Sequence, residues 1–345
     1  MNYNYNKIVY VDEKRNNALW IDWTLGNSCN FSCSYCPDNL HDGTANWVSL
    51  EDCETFVRKT ITHYSQINKN YFIFQIMGGE PTAWRDLKKF HILVKEIAAE
   101  NNVTAIIEIL TNGSRTMRWW RSNYQLFDTI KITHHSEFAD PYHTKELAEF
   151  LDTNNIVCAV QVPMIPDLWD TCVEHIKILS DSNCKYVDHL LTKTLLIDFK
   201  AVPYPYTDEQ KEFIKQAWNG SLKKNIKSSL VLEPLVSTNS KQMLNDEYKE
   251  VVKPSKILLD RVHSWLGWKC WAGVDMIQIN QWGRMKLGGA CEVPYPNFTR
   301  KHISENFEFP TEPVTCTQKW CSCAADILIR KEKEEDPWIA IANNK

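Results

Sequence analysis

Across residues 18–198 the chain alternates short apolar runs with longer stretches in which apolar residues recur every three or four positions. The runs read as strands and the stretches as helices. Strands are expected at 19–25, 71–77, 104–110, 129–134, 156–162 and 185–197. Between the first two, Ser49 and Asp52 form an N-cap pair, and Leu50, Cys53, Val57, Ile61 and Tyr64 follow at helical spacing. Further helices are expected at 87–101, 116–127, 144–154 and 171–182. Strand and helix in regular turn argue for parallel strands joined by helical crossovers, an α/β architecture. Six such units are too few to close an eight-stranded barrel.

Period-two alternation divides each strand into two faces. On the first, Trp20, Asp22 and Thr24 share a face, and Ile21, Trp23 and Leu25 face the helices. The same phase groups Gln75, Met77, Glu108, Lys131, Thr133, His135 and Gln161 with Asp22, and extends to His189 and Lys193. That lining is polar and carries both signs of charge. Buried charges need partners, so these residues either pair with one another or meet a polar substrate. Asp22, Glu108, Lys131 and His135 are the candidate substrate-pocket residues. Cys53, Cys158, Cys172 and Cys184 read as small buried hydrophobes.

The alternation breaks near residue 199. Residues 199–267 read as an irregular bridge, punctuated by Pro203-Tyr204-Pro205-Tyr206 and containing a helix at 207–218. From 268 the pattern is that of a hairpin: 274–280, a Gln281-Trp282-Gly283 turn, then 284–287, with a short helix expected at 324–333. The expected division is therefore an N-terminal extension (1–17), an α/β unit (18–198), the bridge (199–267) and a C-terminal domain (268–345).

Composition narrows the class. The 345 residues are 43% hydrophobic and 24% charged, enough for a buried core, and a formal charge of -4 disfavours a nucleic-acid backbone as the main partner. No apolar stretch is long enough for a membrane span, and the N-terminus lacks the apolar core of a signal peptide. A cytoplasmic protein without a membrane partner is expected. Twelve cysteines in that compartment point to metal ligation more than to disulfides.

The chemistry concentrates in two motifs. Cys29-x-x-x-Cys33-x-x-Cys36 follows the first strand, and Gly78-Gly79-Glu80-Pro81 follows the second. Taken alone, the cysteines also suit zinc, and Gly-Gly-Glu-Pro is also an ordinary turn. Three thiolates can instead hold three irons of a cubane cluster and leave the fourth iron open to a ligand. Thr111-Asn112-Gly113 and His134-His135-Ser136 follow the third and fourth strands. All four loops would lie at the C-terminal ends of parallel strands, where α/β chemistry is placed.

The cysteine triplet, with Tyr35 before its third member and the Gly-Gly-Glu-Pro run in register, resembles the radical S-adenosylmethionine (SAM) enzymes over roughly residues 15–200. The resemblance implies a partial (β/α)6 TIM-like barrel. It also implies a [4Fe-4S] cluster on Cys29, Cys33 and Cys36 that binds SAM, and an electron donor such as flavodoxin or ferredoxin. Glu80 and the backbone at Gly78 and Gly79 would receive the ammonium of SAM, and Pro81 would complete that cofactor-binding run. Asn112 or Ser136 would bond the ribose and carboxylate, and Tyr35 and Val162 would border the adenine. Cys270, Cys291, Cys316, Cys321 and Cys323 around the C-terminal hairpin resemble twitch or SPASM extensions, which implies one auxiliary [4Fe-4S] cluster. The C-x4-C-x-C spacing of the last group departs from that pattern, leaving open which four are ligands, and a zinc knuckle is the alternative.

The resemblance implies a radical SAM oxidoreductase that takes hydrogen from a polar small molecule such as a sugar, aminocyclitol or nucleotide-sugar, for oxidation or epimerisation. The alternatives are a maturase acting on a peptide or protein side chain and a non-catalytic metal-binding module. The 28 residues before Cys29 are expected to be too few for an N-terminal peptide-recognition domain.

Overall fold

The computed structural model describes residues 7–10, 13–181, 187–193, 204–218 and 254–333. Its strands are β1 (Lys7–Ile8), β2 (Ala18–Thr24), β3 (Tyr71–Met77), β4 (Thr104–Thr111), β5 (Thr129–Thr133), β6 (Val157–Pro163), β7 (Val187–Lys193), β8 (Lys269–Cys270), β9 (Met276–Ile279), β10 (Met285–Lys286), β11 (Val314–Thr315) and β12 (Lys331–Glu332). Its helices are α1 (Glu13–Asn16), α2 (Leu50–Gln66), α3 (Leu87–Glu100), α4 (Met117–Asn123), α5 (Pro141–Thr153), α6 (Trp169–Ser180), α7 (Asp208–Trp218), α8 (Pro254–Leu259) and α9 (Ala324–Ile327). No described helix is long and apolar enough to cross a membrane.

Strands β2 to β7 lie side by side in chain order and all parallel. The expected β/α alternation is thus observed, with boundaries shifted by a few residues. Helix α5 begins earlier than expected, because the Asp140 carboxylate caps the Tyr142 N–H at 2.9 Å and Pro141 supplies a pre-set first turn. Helix α2 starts where expected, with Ser49 Oγ accepting the Asp52 N–H at 3.1 Å. Its buried stripe of Cys53, Phe56, Val57, Ile61 and Tyr64 packs on the sheet. Trp23 of β2 stands edge-on to Phe56 of α2 and Phe90 of α3, with ring centroids at 5.1 and 5.6 Å. That contact assigns the odd positions of β2 to the helices and the even ones to the opposite face. Cys158 and Cys172 are buried in the same apolar core, while Cys184 and the ends of the expected 185–197 strand lie outside the described residues. The side chains of His189 and Lys193 do so too.

The C-terminal residues do not stand apart from this sheet. Strand β9 adds in parallel to β2, opposite β3, and the β9–β10 hairpin closes around Gly283, whose φ is +69°. The sheet therefore crosses the boundary expected at 267/268. A second sheet, ordered β1-β12-β8-β11, joins the N-terminal segment to the C-terminal one. The helix expected at 324–333 stops at Ile327, and the chain turns into β12, because Lys331 and Glu332 pair with both β8 and β1.

Asp275, 1% exposed, ties the two sheets together. Its carboxylate accepts from Lys69 Nζ at 2.7 Å and from Arg330 Nε and Nη2 at 2.5 and 2.8 Å, and its carbonyl accepts the Trp20 N–H at 2.9 Å. Tyr64 of α2 adds a hydroxyl bond to the Gly273 carbonyl at 2.5 Å. Removing Asp275 would strand a buried lysine. Asp275→Ala is expected to lower unfolding free energy by about 3–5 kcal/mol, as measured by denaturant titration.

Candidate functional site

The loop after β3 meets the loop after β2 at backbone distance. Gly78 and Gly79 have φ of +100° and +50°. A Cβ on Gly78 would lie 2.4 Å from the Gly26 carbonyl oxygen, and one on Gly79 would lie 2.1 Å from that of Ser28. Only glycine fits there. The Glu80 N–H then donates to the Ser28 carbonyl at 2.9 Å, and Pro81, buried, opens a short turn over Pro81–Ala83.

The Glu80 carboxylate is buried and engaged within the protein. Oε1 accepts from Thr82 N–H at 3.0 Å, Thr82 Oγ1 at 2.6 Å and Thr111 Oγ1 at 2.8 Å, and Oε2 accepts the Asn112 N–H at 2.7 Å. Burial pushes this carboxyl up from the ordinary range, and the hydrogen bonds pull it back. The side chain expected to receive an ammonium thus joins the loop after β3 to the loop after β4.

The cysteine loop is held from three sides. Cys29 Sγ accepts from the Phe31 N–H at 3.4 Å and from Asn112 Nδ2 at 3.9 Å. Asn112 Nδ2 also donates to Asn30 Oδ1 at 2.9 Å, and Asn30 donates to Ser114 Oγ at 3.0 Å. On the β5 side, Glu137 accepts the Ser34 N–H at 2.8 Å, and the Tyr35 hydroxyl bonds His135 Nδ1 with the two rings stacked. None of the described cysteines forms a disulfide. Burial pushes the Cys33 thiol up to about 12, against a pull from the Tyr35 hydroxyl. A buried thiol of this kind ionises when a cation is supplied, which a metal does.

Ser136 Oγ is buried and has no hydrogen-bond partner among the described residues. A buried orphaned hydroxyl is a polar group that a ligand can satisfy. A cavity of about 580 Å³ opens beside Asn30, Asn112 and Ser114, within the size range of small-molecule sites. The donor set and the cradle fit an iron-sulfur cluster with a polar ligand. Val162 differs from expectation: its side chain is fully buried in the apolar core, because the phase that places Gln161 on the polar face turns Val162 away.

On the polar face, Gln278, Asp22, Gln75 and Glu108 stand in one row across β9, β2, β3 and β4. Lys131 Nζ donates to Glu108 Oε1 at 2.6 Å and lies 5.1 Å from the Trp20 ring centroid, and Gln75 Nε2 donates to the same oxygen. Glu108 Oε2 is buried with no partner among the described residues. His135 sits at the rim against Tyr35, outside this row. His134 faces the other way, bonded to Thr144 Oγ1 at 2.9 Å and to His175 Nδ1 at 2.8 Å, and burial pulls it down to about 3.

Of the C-terminal cysteines, Cys270, Cys291, Cys316 and Cys321 line one cavity, together with Trp265, Asp326 and Lys331. The Cys323 sulfur packs against Gly289, close to Asp22 Oδ2. The sequence reading missed Asn30, Ser114, Glu137, Asp326 and Lys331. Asn30, Ser114 and Glu137 lie in loops and Asp326 in the short α9, and each of these four gains its partner across a large sequence separation, whereas Lys331 on β12 bonds carbonyls close to it in the chain.

The Glu80 geometry makes a direct prediction. Glu80→Ala would leave the Thr82 and Asn112 N–H groups without acceptors, at about 1–3 kcal/mol for each buried group left unpaired. A lowered melting temperature with reduced iron retention is the expected result, measured by calorimetry and iron assay.

Known proteins resemble this chain over the segment that carries both motifs and in the fold. Residues 23–136 match the model of the Radical SAM superfamily, a segment spanning both motifs and the loops after β2 to β5. A GTPase Obg from Brachyspira hyodysenteriae (strain ATCC 49526 / WA1) is 29% identical over 109 residues, which is 30% of this chain and 15% of that protein's length. Among solved structures, histidine-tagged anSMEcpe with bound AdoMet aligns over 84% of this chain and 79% of its own, with a TM-score of 0.53 at 14% identity. Native anSMEcpe with bound AdoMet gives the same coverage and identity with a TM-score of 0.51. At that identity the likeness speaks for the fold. The segment that matches the Radical SAM superfamily model, residues 23–136, is the one that holds the cysteine triplet and the glycine cradle that presses on the loop before it.

Proposed function

We propose that the chain is a radical SAM enzyme acting on a polar small molecule, built as a partial barrel with a cluster-bearing C-terminal extension. The observation that carries this reading is the backbone seat of the Gly78-Gly79 loop on the Gly26–Ser28 segment leading into Cys29. Cys29, Cys33 and Cys36 would hold a [4Fe-4S] cluster. Bound there and reduced by a flavodoxin- or ferredoxin-type donor, SAM supplies a 5'-deoxyadenosyl radical that removes a hydrogen atom. With the Glu80 carboxylate engaged, the backbone of Gly78 and Gly79 is left to receive the ammonium of SAM. Asn112 and the orphaned Ser136 hydroxyl would take its ribose and carboxylate, and Tyr35 would border the adenine. A cytoplasmic location suits a reductant of this kind.

The row Asp22, Gln75 and Glu108, with Lys131, would bind the substrate for oxidation or epimerisation. Its unpartnered Glu108 oxygen suits a hydroxyl or amine donor on the ligand. The Glu108–Lys131 pair supports a second reading, a peptide or protein side chain as substrate, since it satisfies both charges within the protein.

Two measurements test these readings. Replacing Cys29, Cys33 and Cys36 by alanine should abolish 5'-deoxyadenosine formation in anaerobically reconstituted, reduced protein. Undiminished cleavage would end the radical SAM reading.

For the substrate, Glu108→Ala should lower substrate-dependent turnover about ten- to a hundredfold, equivalent to about 1.5–3 kcal/mol for a charged hydrogen bond, and leave substrate-free SAM cleavage intact. A large loss of thermal stability with equal loss of both activities would instead favour the peptide substrate.

A further inference from the structure

The polar face does not end at the row of Asp22, Gln75 and Glu108. Trp20 stands on the same face of β2, two residues nearer the start of the strand, which is about 7 Å deeper at the usual rise per residue. Two cations meet its ring there. The guanidinium carbon of Arg15, from α1, lies 4.5 Å from the ring centroid, and Lys131 Nζ lies 5.1 Å from it. Arg15 is 6% exposed, and the Tyr10 ring, at 5.2 Å, flanks the same guanidinium.

Lys131 has a carboxylate partner, and Arg15 has none among the described residues. The ion pairs made there by buried carboxylates are Lys69–Asp275, Arg330–Asp275 and Lys131–Glu108. Aromatic faces cover the guanidinium plane, but its N–H groups lie along the edge and still need acceptors. Arg15 Nη1 is buried without one, and so is Trp20 Nε1, which can only donate. Lys131 Nζ gives one N–H to Glu108 and keeps others for a ligand.

The open hydrogen-bonding positions differ between the two levels of this face. Around the Trp20 ring they are donors, Arg15 Nη1 and Trp20 Nε1. In the row above, Glu108 Oε2 and Gln278 Oε1 are acceptors, with Gln278 level with Asp22 on β9. A water molecule at the lower level would accept a bond but leave the Arg15 charge uncompensated. An oxyanion supplies acceptor lone pairs and negative charge together.

We propose that Arg15, Trp20 and Lys131 form an anion subsite at the floor of the polar face, which takes a carboxylate or phosphate of the substrate. Glu108 and Gln278 then accept from a hydroxyl or amine about 7 Å away on the same molecule. This rests on the reading of the polar row as the substrate face, and it narrows the substrate from a polar molecule to an anionic one.

The test is isothermal titration calorimetry of the full chain with inorganic phosphate and, separately, with acetate, at constant ionic strength. At least one of the two should bind with a stoichiometry of one. Phosphate alone marks a phosphorylated substrate, and acetate alone a carboxylate. Arg15→Gln should weaken that binding at least about tenfold, as expected for a lost charge-assisted contact. Trp20→Phe, which keeps the ring and removes only the N–H, should weaken it severalfold. Glu108→Gln should strengthen it, because it removes a negative charge and frees Lys131. Arg121→Gln, at an exposed arginine paired with Glu146, should leave it unchanged.

Where Arg15→Gln fails to fold by circular dichroism, Trp20→Phe decides. Unchanged affinity in a folded Arg15→Gln or Trp20→Phe chain overturns the subsite, as does an equal loss in Arg121→Gln or binding of neither anion by the wild type. The radical SAM reading fails separately: a reconstituted chain that forms 5'-deoxyadenosine but binds neither anion loses only the subsite. One that binds the anion in the expected pattern but forms no 5'-deoxyadenosine keeps the anion site and loses that reading.

Discussion

The approach of the β3 loop to the β2 loop places two peptide backbones where side chains would ordinarily stand, and the arrangement around Cys29, Cys33 and Cys36 follows from it. Gly78 and Gly79 make the approach possible by lacking a Cβ, and the bond from the Glu80 N–H to the Ser28 carbonyl holds it. Glu80 then carries the constraint onward. Its buried carboxylate takes donors from Thr82, Thr111 and Asn112, so three consecutive strand ends share one rigid corner. Asn112, positioned by that corner, returns a bond to Cys29 and another to Asn30. The motifs are coupled through a closed loop of hydrogen bonds that reaches the Cys29 sulfur.

The C-terminal residues depend on a different constraint, the desolvated carboxylate of Asp275. Two cations converge on it, Lys69 from the turn before β3 and Arg330 from the segment before β12. Such an arrangement gains little over an apolar contact in energy, but a misplaced partner is costly, so it specifies one docking geometry. That geometry lets β9 pair with β2 and brings Gly289 and Cys323 close to Asp22. The polar row inherits a neighbour from a part of the chain more than 260 residues away from it, as the numbers of Gly289 and Asp22 show.

Most of the fold was legible because its signals are local. Alternation of two on β2 to β6 and the stripe from Cys53 to Tyr64 on α2 are short-range patterns, and they give strands and helices within a few residues of those observed. The motifs were legible for the same reason, since Cys29–Cys36 and Gly78–Pro81 are contiguous. Reading failed where a partner is remote. Lys331 sits in a helical-looking stretch, yet pairing with β8 and β1 makes it a strand residue. The Glu80 carboxylate looked available because Thr111 and Asn112 are about thirty residues on, and nothing in the spacing announces that they reach back.

By itself the sequence determined the parallel α/β order, the placement of both motifs at strand ends and the division of each strand into an apolar and a polar face. These depend on backbone periodicity and on residue type at neighbouring positions. Only the tertiary structure decided that Glu108 pairs with Lys131, that β9 extends the main sheet, and that Cys270, Cys291, Cys316 and Cys321 line one cavity. Those outcomes are set by which buried groups find partners across the fold, and that choice is made when desolvation must be compensated, not when the chain is read in order.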